Sequence, residues 1–185
     1  NSGTITSGSS TAVYFNENLG SFTNSGRIES LDTGNYGVYV LGDATSFANS
    51  GSISSDDTAV YFDGNVGTFT NSGDIKSHSG YGVYVDGNST ASFENSGDIT
   101  AYSYGVYFNG DVESFVNSGS IFSADYYGVY VSGDAGSFVN SGSILSYSYG
   151  AYLSGDVETF SNSGLISTLF YDGVYISGDV TSFDN

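Results

Sequence analysis

The chain has 185 residues with no Pro, Cys, Met or Trp, 27 Gly and 17 Tyr, and a formal charge of −18 that leaves Arg27 and Lys76 as its only Lys or Arg. That balance excludes nucleic-acid binding, which needs clustered cations against phosphate, and an anionic membrane surface would repel the chain. Without Cys there are no disulfides or thiolate metal sites, and no run of about 18 apolar residues predicts a transmembrane segment.

Strong negative charge is also a mark of disorder, but here 16% of residues are aromatic and recur on a schedule. The schedule is set by Asn-Ser-Gly, which begins at Asn1, Asn24, Asn49, Asn71, Asn95, Asn117, Asn140 and Asn162. A period of roughly 23 residues is the signature of a repeat architecture.

Each repeat runs through the same elements in order. Four residues after the Asn comes an Ile, namely Ile5, Ile28, Ile53, Ile75, Ile99, Ile121, Ile144 and Ile166, within an x-Ile-x-Ser strand. A segment of variable length follows, rich in aromatics: Tyr36, Tyr81, Tyr102, Tyr104, Tyr126, Tyr127, Tyr147, Tyr149, Phe170 and Tyr171. It leads into an apolar-Tyr-apolar triplet such as Val38-Tyr39-Val40, centred in successive copies on Tyr14, Tyr39, Tyr61, Tyr84, Tyr107, Tyr130, Tyr152 and Tyr175. A turn residue comes next, read as Asn18, Asp43, Asn65, Asn88, Asp111, Asp134, Asp156 and Asp179. The repeat closes on a Phe two residues before the next Asn: Phe22, Phe47, Phe69, Phe93, Phe115, Phe138, Phe160 and Phe183.

Alternation around one central position and enrichment in Val, Ile, Tyr, Phe and Thr predict strands, and no stretch carries a helical stripe. The reading is an all-β fold: a parallel β-solenoid (β-helix) of eight coils with three short strands each, spanning residues 1–185 as a single uncapped repeat array. Right-handed winding follows from the bias of parallel crossovers. Phe22, Ile28, Val38, Val40 and their equivalents point inward, and the apolar residue after the turn (Leu19, Ala44, Val66, Val112, Ala135, Val157, Val180) closes a corner. The Asn and Gly of Asn-Ser-Gly are expected to supply left-handed corners, with the Asn side chains bonding along the stack.

Phe-x-Asn-Ser-Gly-x-Ile followed by Tyr-Gly-Val-Tyr-Val-x-Gly resembles the repeats of autotransporter passengers and related pectin-lyase-like bacterial adhesins. The resemblance covers nearly the whole chain and implies a secreted or surface-displayed bacterial β-helix, acting in adhesion, aggregation or surface structure.

Three features are candidates for function. The central tyrosines face out as a ladder whose stacking either stabilises an exposed sheet face or, with Tyr104, Tyr126 and Tyr149 at the variable corner, offers a contact surface for glycans, cell surfaces or another filament. Asp111, Asp134, Asp156 and Asp179 fall in consecutive coils; either they simply suit the turn, or their repulsion favours cation screening and makes them the metal candidates, Ca²⁺ being the suited ion. No other cofactor is expected. His78, Arg27 and Lys76 recur in no other coil, so catalysis is not expected either. Asn1 and Asn185 share one phase of the repeat. That predicts head-to-tail stacking of copies or continuation into a longer solenoid. The functional expectation is an extracellular structural filament or surface fibre, with an adhesin segment as the alternative.

Overall fold

The computed structural model describes residues 1–185 as 24 strands and no helix. The strands form three sheets of eight, and in each sheet neighbours come from successive coils. In one coil the three strands are Ala44–Asn49, Ser52–Ser55 and Val60–Phe62. We call the three walls the Phe, Ile and Tyr sheets. All pairings are parallel and residue-matched, with Ile28 on Ile53, Tyr39 on Tyr61, Phe47 on Phe69 and Asn49 on Asn71. The expected all-β solenoid of eight coils is therefore the observed fold.

The matched register gives one core of 31 buried residues running the length of the stack. Ile28, Ile53, Ile75, Ile99, Ile121 and Ile144 are essentially inaccessible, while Ile166 is half-buried. From Phe47 to Phe160 the Phe column is equally closed, and Phe22 is half-buried. Its rings lie nearly parallel, for example 5.2 Å apart at 1° between Phe93 and Phe115. Where the triplet ends in Phe, as at Phe62 and Phe108, that ring meets the column edge-on. Burying such side chains contributes roughly 1.5–3 kcal/mol each.

The Phe strand is longer than the four-residue Ser-Phe-x-Asn that its sequence pattern predicts. It begins at the apolar residue assigned to the corner, as in Val66–Asn71. Val66 and Phe69 both point inward although three positions separate them, and Gly67 between them has no partner in the ladder. The break in the ladder at Gly67 resets the alternation, so the strand faces the core at both Val66 and Phe69.

Backbone geometry corrects the expectation for the Asn-Ser-Gly corner. Gly34 alone has a positive φ, at 79°, so neither the Asn nor the Gly of the motif is left-handed. The Gly is required instead by close approach between coils. A Cβ on Gly97 would stand 2.1 Å from the carbonyl oxygen of Gly73. The corner is this tight because the amides of Ser96 and Gly97 both donate to the carbonyl of Asn71, at 2.8 and 3.1 Å.

The Asn side chains form a continuous chain of amide–amide hydrogen bonds. Each Nδ2 donates to the Oδ1 of the Asn one coil on: Asn24 to Asn49, Asn49 to Asn71, Asn71 to Asn95 and Asn95 to Asn117, each at 2.8 Å. The chain continues through Asn117, Asn140 and Asn162. A second bond from Nδ2 reaches the carbonyl of the glycine two residues on, at 3.0 Å in Asn95. These polar side chains are buried without loss because every amide is partnered. Replacing Asn95 by Ala is expected to leave the amides of Asn71 and Asn117 each short of a partner, at about 1–3 kcal/mol per group. Chemical denaturation should show the loss without a change in the far-ultraviolet spectrum before the transition.

One coil departs from the pattern. It carries an extra residue between triplet and Phe, and Thr90 takes the inward place held by Val66 below and Val112 above. Thr90 is buried and its Oγ1 has no partner. Thr90→Val removes an unpaired hydroxyl without changing shape and is expected to raise stability by roughly 1 kcal/mol in the same denaturation experiment.

Candidate functional site

With the core closed, function falls to the outer faces. The middle residue of the Tyr strand must point away from its inward neighbours, and Tyr39, Tyr61, Tyr84, Tyr107, Tyr130, Tyr152 and Tyr175 do so in register. They do not form a bare strip. Tyrosines of the variable segment fold back over them, as Tyr36 does on Tyr39 (5.0 Å), Tyr81 on Tyr84 (4.9 Å) and Tyr127 on Tyr152 (5.2 Å). The strand tyrosines from Tyr39 to Tyr152 are consequently half-buried. All but Tyr102 and Tyr147 of the 17 tyrosines belong to one connected network of ring contacts.

Buried hydroxyls explain why those segments lie flat. The Ser of x-Ile-x-Ser points inward and donates to a backbone carbonyl of the variable segment. Ser55 Oγ reaches the carbonyl of Asn35 at 2.7 Å, and Ser146 Oγ that of Tyr149 at 2.7 Å. The pattern x-Ile-x-Ser is visible in sequence, but the anchoring role needs the folded path of the loop.

Exposure concentrates at the rim. Tyr126, Tyr147 and Tyr171 are exposed, whereas Tyr104 and Tyr149 are half-covered by neighbouring rings. Tyr126, Tyr127, Tyr147, Tyr149 and Tyr171 line an open cleft of about 460 Å³ with Asp125 and Ser148. Next to it Phe122, Leu145, Tyr147 and Leu169 border a smaller apolar depression of about 260 Å³.

Packing of phenols on phenols raises their pKa values. Burial lifts Tyr36, Tyr81, Tyr107 and Tyr127 above the ordinary 10.0. Tyr61 and Tyr84 rise furthest along with Tyr104, by burial first and, for the first two, by the charge of Asp86 second. The Tyr84 hydroxyl donates to Asp86 at 3.1 Å and the Tyr61 hydroxyl at 3.4 Å. A phenol with a raised pKa keeps its proton longer in the folded chain than in the unfolded one. Its contribution is complete below the ordinary 10.0 and is lost as pH climbs through the raised value. Stability should therefore fall on the alkaline side of pH 10, a loss that chemical denaturation across that range would read and that Tyr61→Phe and Tyr84→Phe should reduce.

The acidic turn column is held by backbone bonds. Asp111 Oδ1 accepts the amide of Asp134 at 2.9 Å, Asp134 that of Asp156 at 2.8 Å, and Asp156 that of Asp179 at 2.8 Å. Each carboxylate thus caps the turn of the next coil. The column also corrects one sequence assignment. Ser89, not Asn88, stands opposite Asp111, and its amide donates to Asn65 Oδ1 at 3.1 Å. The extra residue in that coil shifts the turn by one place. Asp111, Asp134, Asp156 and Asp179 all lie exposed, and no group of three or more His, Asp or Glu converges as metal ligands would.

Scattered in sequence, Arg27, Lys76 and His78 come together on the outer face of the Ile sheet, in an open groove of about 430 Å³ with Glu29, Asp74 and Asp98. Arg27 is paired with Glu29, and His78 Nδ1 lies 3.0 Å from the Ser55 carbonyl oxygen and 3.5 Å from Asp56. Positional mismatch between coils hid this grouping from a repeat-by-repeat reading.

Three parallel sheets wound about a single aliphatic and aromatic core define a parallel β-helix repeat protein. The chain belongs to the family of the BigA third pectate lyase-like domain, whose model matches residues 1–122. Beyond the matched segment, residues 123–185 continue the same columns in the same register. No curated protein and no solved structure matches the chain.

Proposed function

We propose that this β-helix is a rigid structural segment of a bacterial surface protein, displayed outside the cell, serving as part of a filament or surface fibre and carrying no catalytic activity. The observation that carries the reading is the unbroken register of all three sheets, in which every coil presents to the next the same columns of Phe, Ile, Tyr and Asn. A stack with one repeating interface supports extension by further coils, from a second copy or from a neighbouring solenoid in the same polypeptide. The family's description as a third pectate lyase-like domain favours the second source. The surface location rests on the same kinship. Electron microscopy of the purified protein is expected to show rods of constant width, a single eight-coil segment measuring on the order of 38 Å at strand spacing. Compact particles without a long axis would overturn the reading.

A second reading, an adhesin segment, is favoured by the tyrosine-lined cleft at the rim. Tyrosine supplies large amphipathic contact area at low entropic cost. On a glycan array the chain is then expected to bind, and Tyr126→Ser with Tyr147→Ser to abolish the signal. Binding that survives both changes would remove the cleft from the account. Incubation with acidic polysaccharides should release no product; turnover would contradict the non-catalytic assignment and point to the groove of Arg27, Lys76 and His78.

A further inference from the structure

Side chains that react readily with oxidants are usually Cys, Met and Trp, and this chain has none of them. Its oxidisable groups are 17 tyrosines and a single His. The fold then brings tyrosines of consecutive coils into near-parallel ring contact. Tyr81 and Tyr104 lie 5.1 Å apart at 10°, Tyr104 and Tyr126 5.4 Å apart at 3°, Tyr107 and Tyr130 4.8 Å apart at 18°, Tyr127 and Tyr152 5.2 Å apart at 11°, and Tyr149 and Tyr171 5.0 Å apart at 10°. Other neighbours in the same network meet edge-on, such as Tyr61 with Tyr84 at 70° and Tyr84 with Tyr107 at 80°. All lie outside the core, where electron transfer to a dissolved oxidant needs no opening of the fold.

We propose that the parallel pairs are a modification site: a one-electron oxidant converts them to dityrosine, stapling the fourth to eighth coils covalently, each to the next. Each phenol of a pair gives one electron to the oxidant and its hydroxyl proton to water. The two phenoxyl radicals join by a carbon–carbon bond between the positions ortho to oxygen. The hydrogen on each of those carbons then moves to oxygen, restoring two phenols. One staple therefore consumes two oxidising equivalents and releases two protons. Contact between rings throughout the network lets a radical formed on one tyrosine pass to its neighbours, so ring geometry rather than the first point of attack selects the pairs that couple. Exposure alone predicts a different outcome. Tyr102 is 50% exposed and touches no other ring, whereas Tyr104 and Tyr107 are half-buried and paired.

The test is oxidation of the full chain at high dilution with photogenerated ruthenium(III) tris-bipyridine, followed by peptide mass mapping and thermal unfolding. The expected result is a monomer carrying dityrosine links Tyr81–Tyr104 (or its competitor Tyr104–Tyr126), Tyr107–Tyr130, Tyr127–Tyr152 and Tyr149–Tyr171, with an upward shift in the unfolding midpoint. Tyr104→Phe keeps the ring and should lose the first link while retaining the second. The same oxidation in denaturant should lose the pairing preference. Links centred on Tyr102, links only between molecules, or edge-on pairs coupling as often as parallel ones would overturn the proposal. So would the same link pattern in folded and unfolded chains.

Discussion

Parallel strands stack at a fixed spacing of about 4.8 Å, and in a solenoid that spacing applies to every side chain as well as to the backbone. In the Phe, Ile and Asn columns each inward residue must tolerate a copy of its own kind directly above and below. Phe meets this demand by face-to-face ring stacking, Ile and Val by shape, and Asn by donating from one amide to the carbonyl of the next. The last is the most exacting. A buried amide is acceptable only when the chain of bonds is unbroken, which ties the Asn column to the register of all three sheets. The glycine two residues later follows from the same demand, because coils held this close leave no room for a Cβ against the carbonyl beneath it.

Much of the fold was legible in sequence because the same rule operates there. Eight copies of Asn-Ser-Gly with Ile and Phe at fixed offsets identify the columns, and the triplets identify the third wall. What could not be read were features created by the path between columns. The break in the ladder that lets Val66 and Phe69 face the same core violates simple alternation, so the Phe strand looked shorter than it is. Of the two roles expected of Asn, the left-handed corner is absent, whereas the side-chain amide ladder along the stack is present. The extra residue before Phe93 moved the turn from Asn88 to Ser89, a shift that only pairing with the adjacent coils reveals.

The outer surface was less legible for a physical reason. Periodicity says that the central tyrosines face outward; it does not say what lies over them. The variable segments have no fixed length, and their tyrosines reach the sheet only because inward serines hold the loop backbone down. Burial of one ring by another then separates an inner tyrosine layer, which raises phenol pKa values, from a rim that stays open. Repeat logic likewise concealed the gathering of Arg27, Lys76 and His78, since residues that occur once carry no period.

Ladder hydrogen bonds in this chain join residues about one coil apart, and no coil pairs with any but its two neighbours. The molecule is therefore a linear series of nearly equal bonds between turns of chain, without a single knot of contacts whose rupture frees the rest. Under tension applied at its two ends it should peel one turn at a time, each turn releasing on the order of 80 Å of extended chain. Such a body lengthens in steps and re-forms from whichever coils remain, a mechanical character suited to a tether that must absorb shear without letting go.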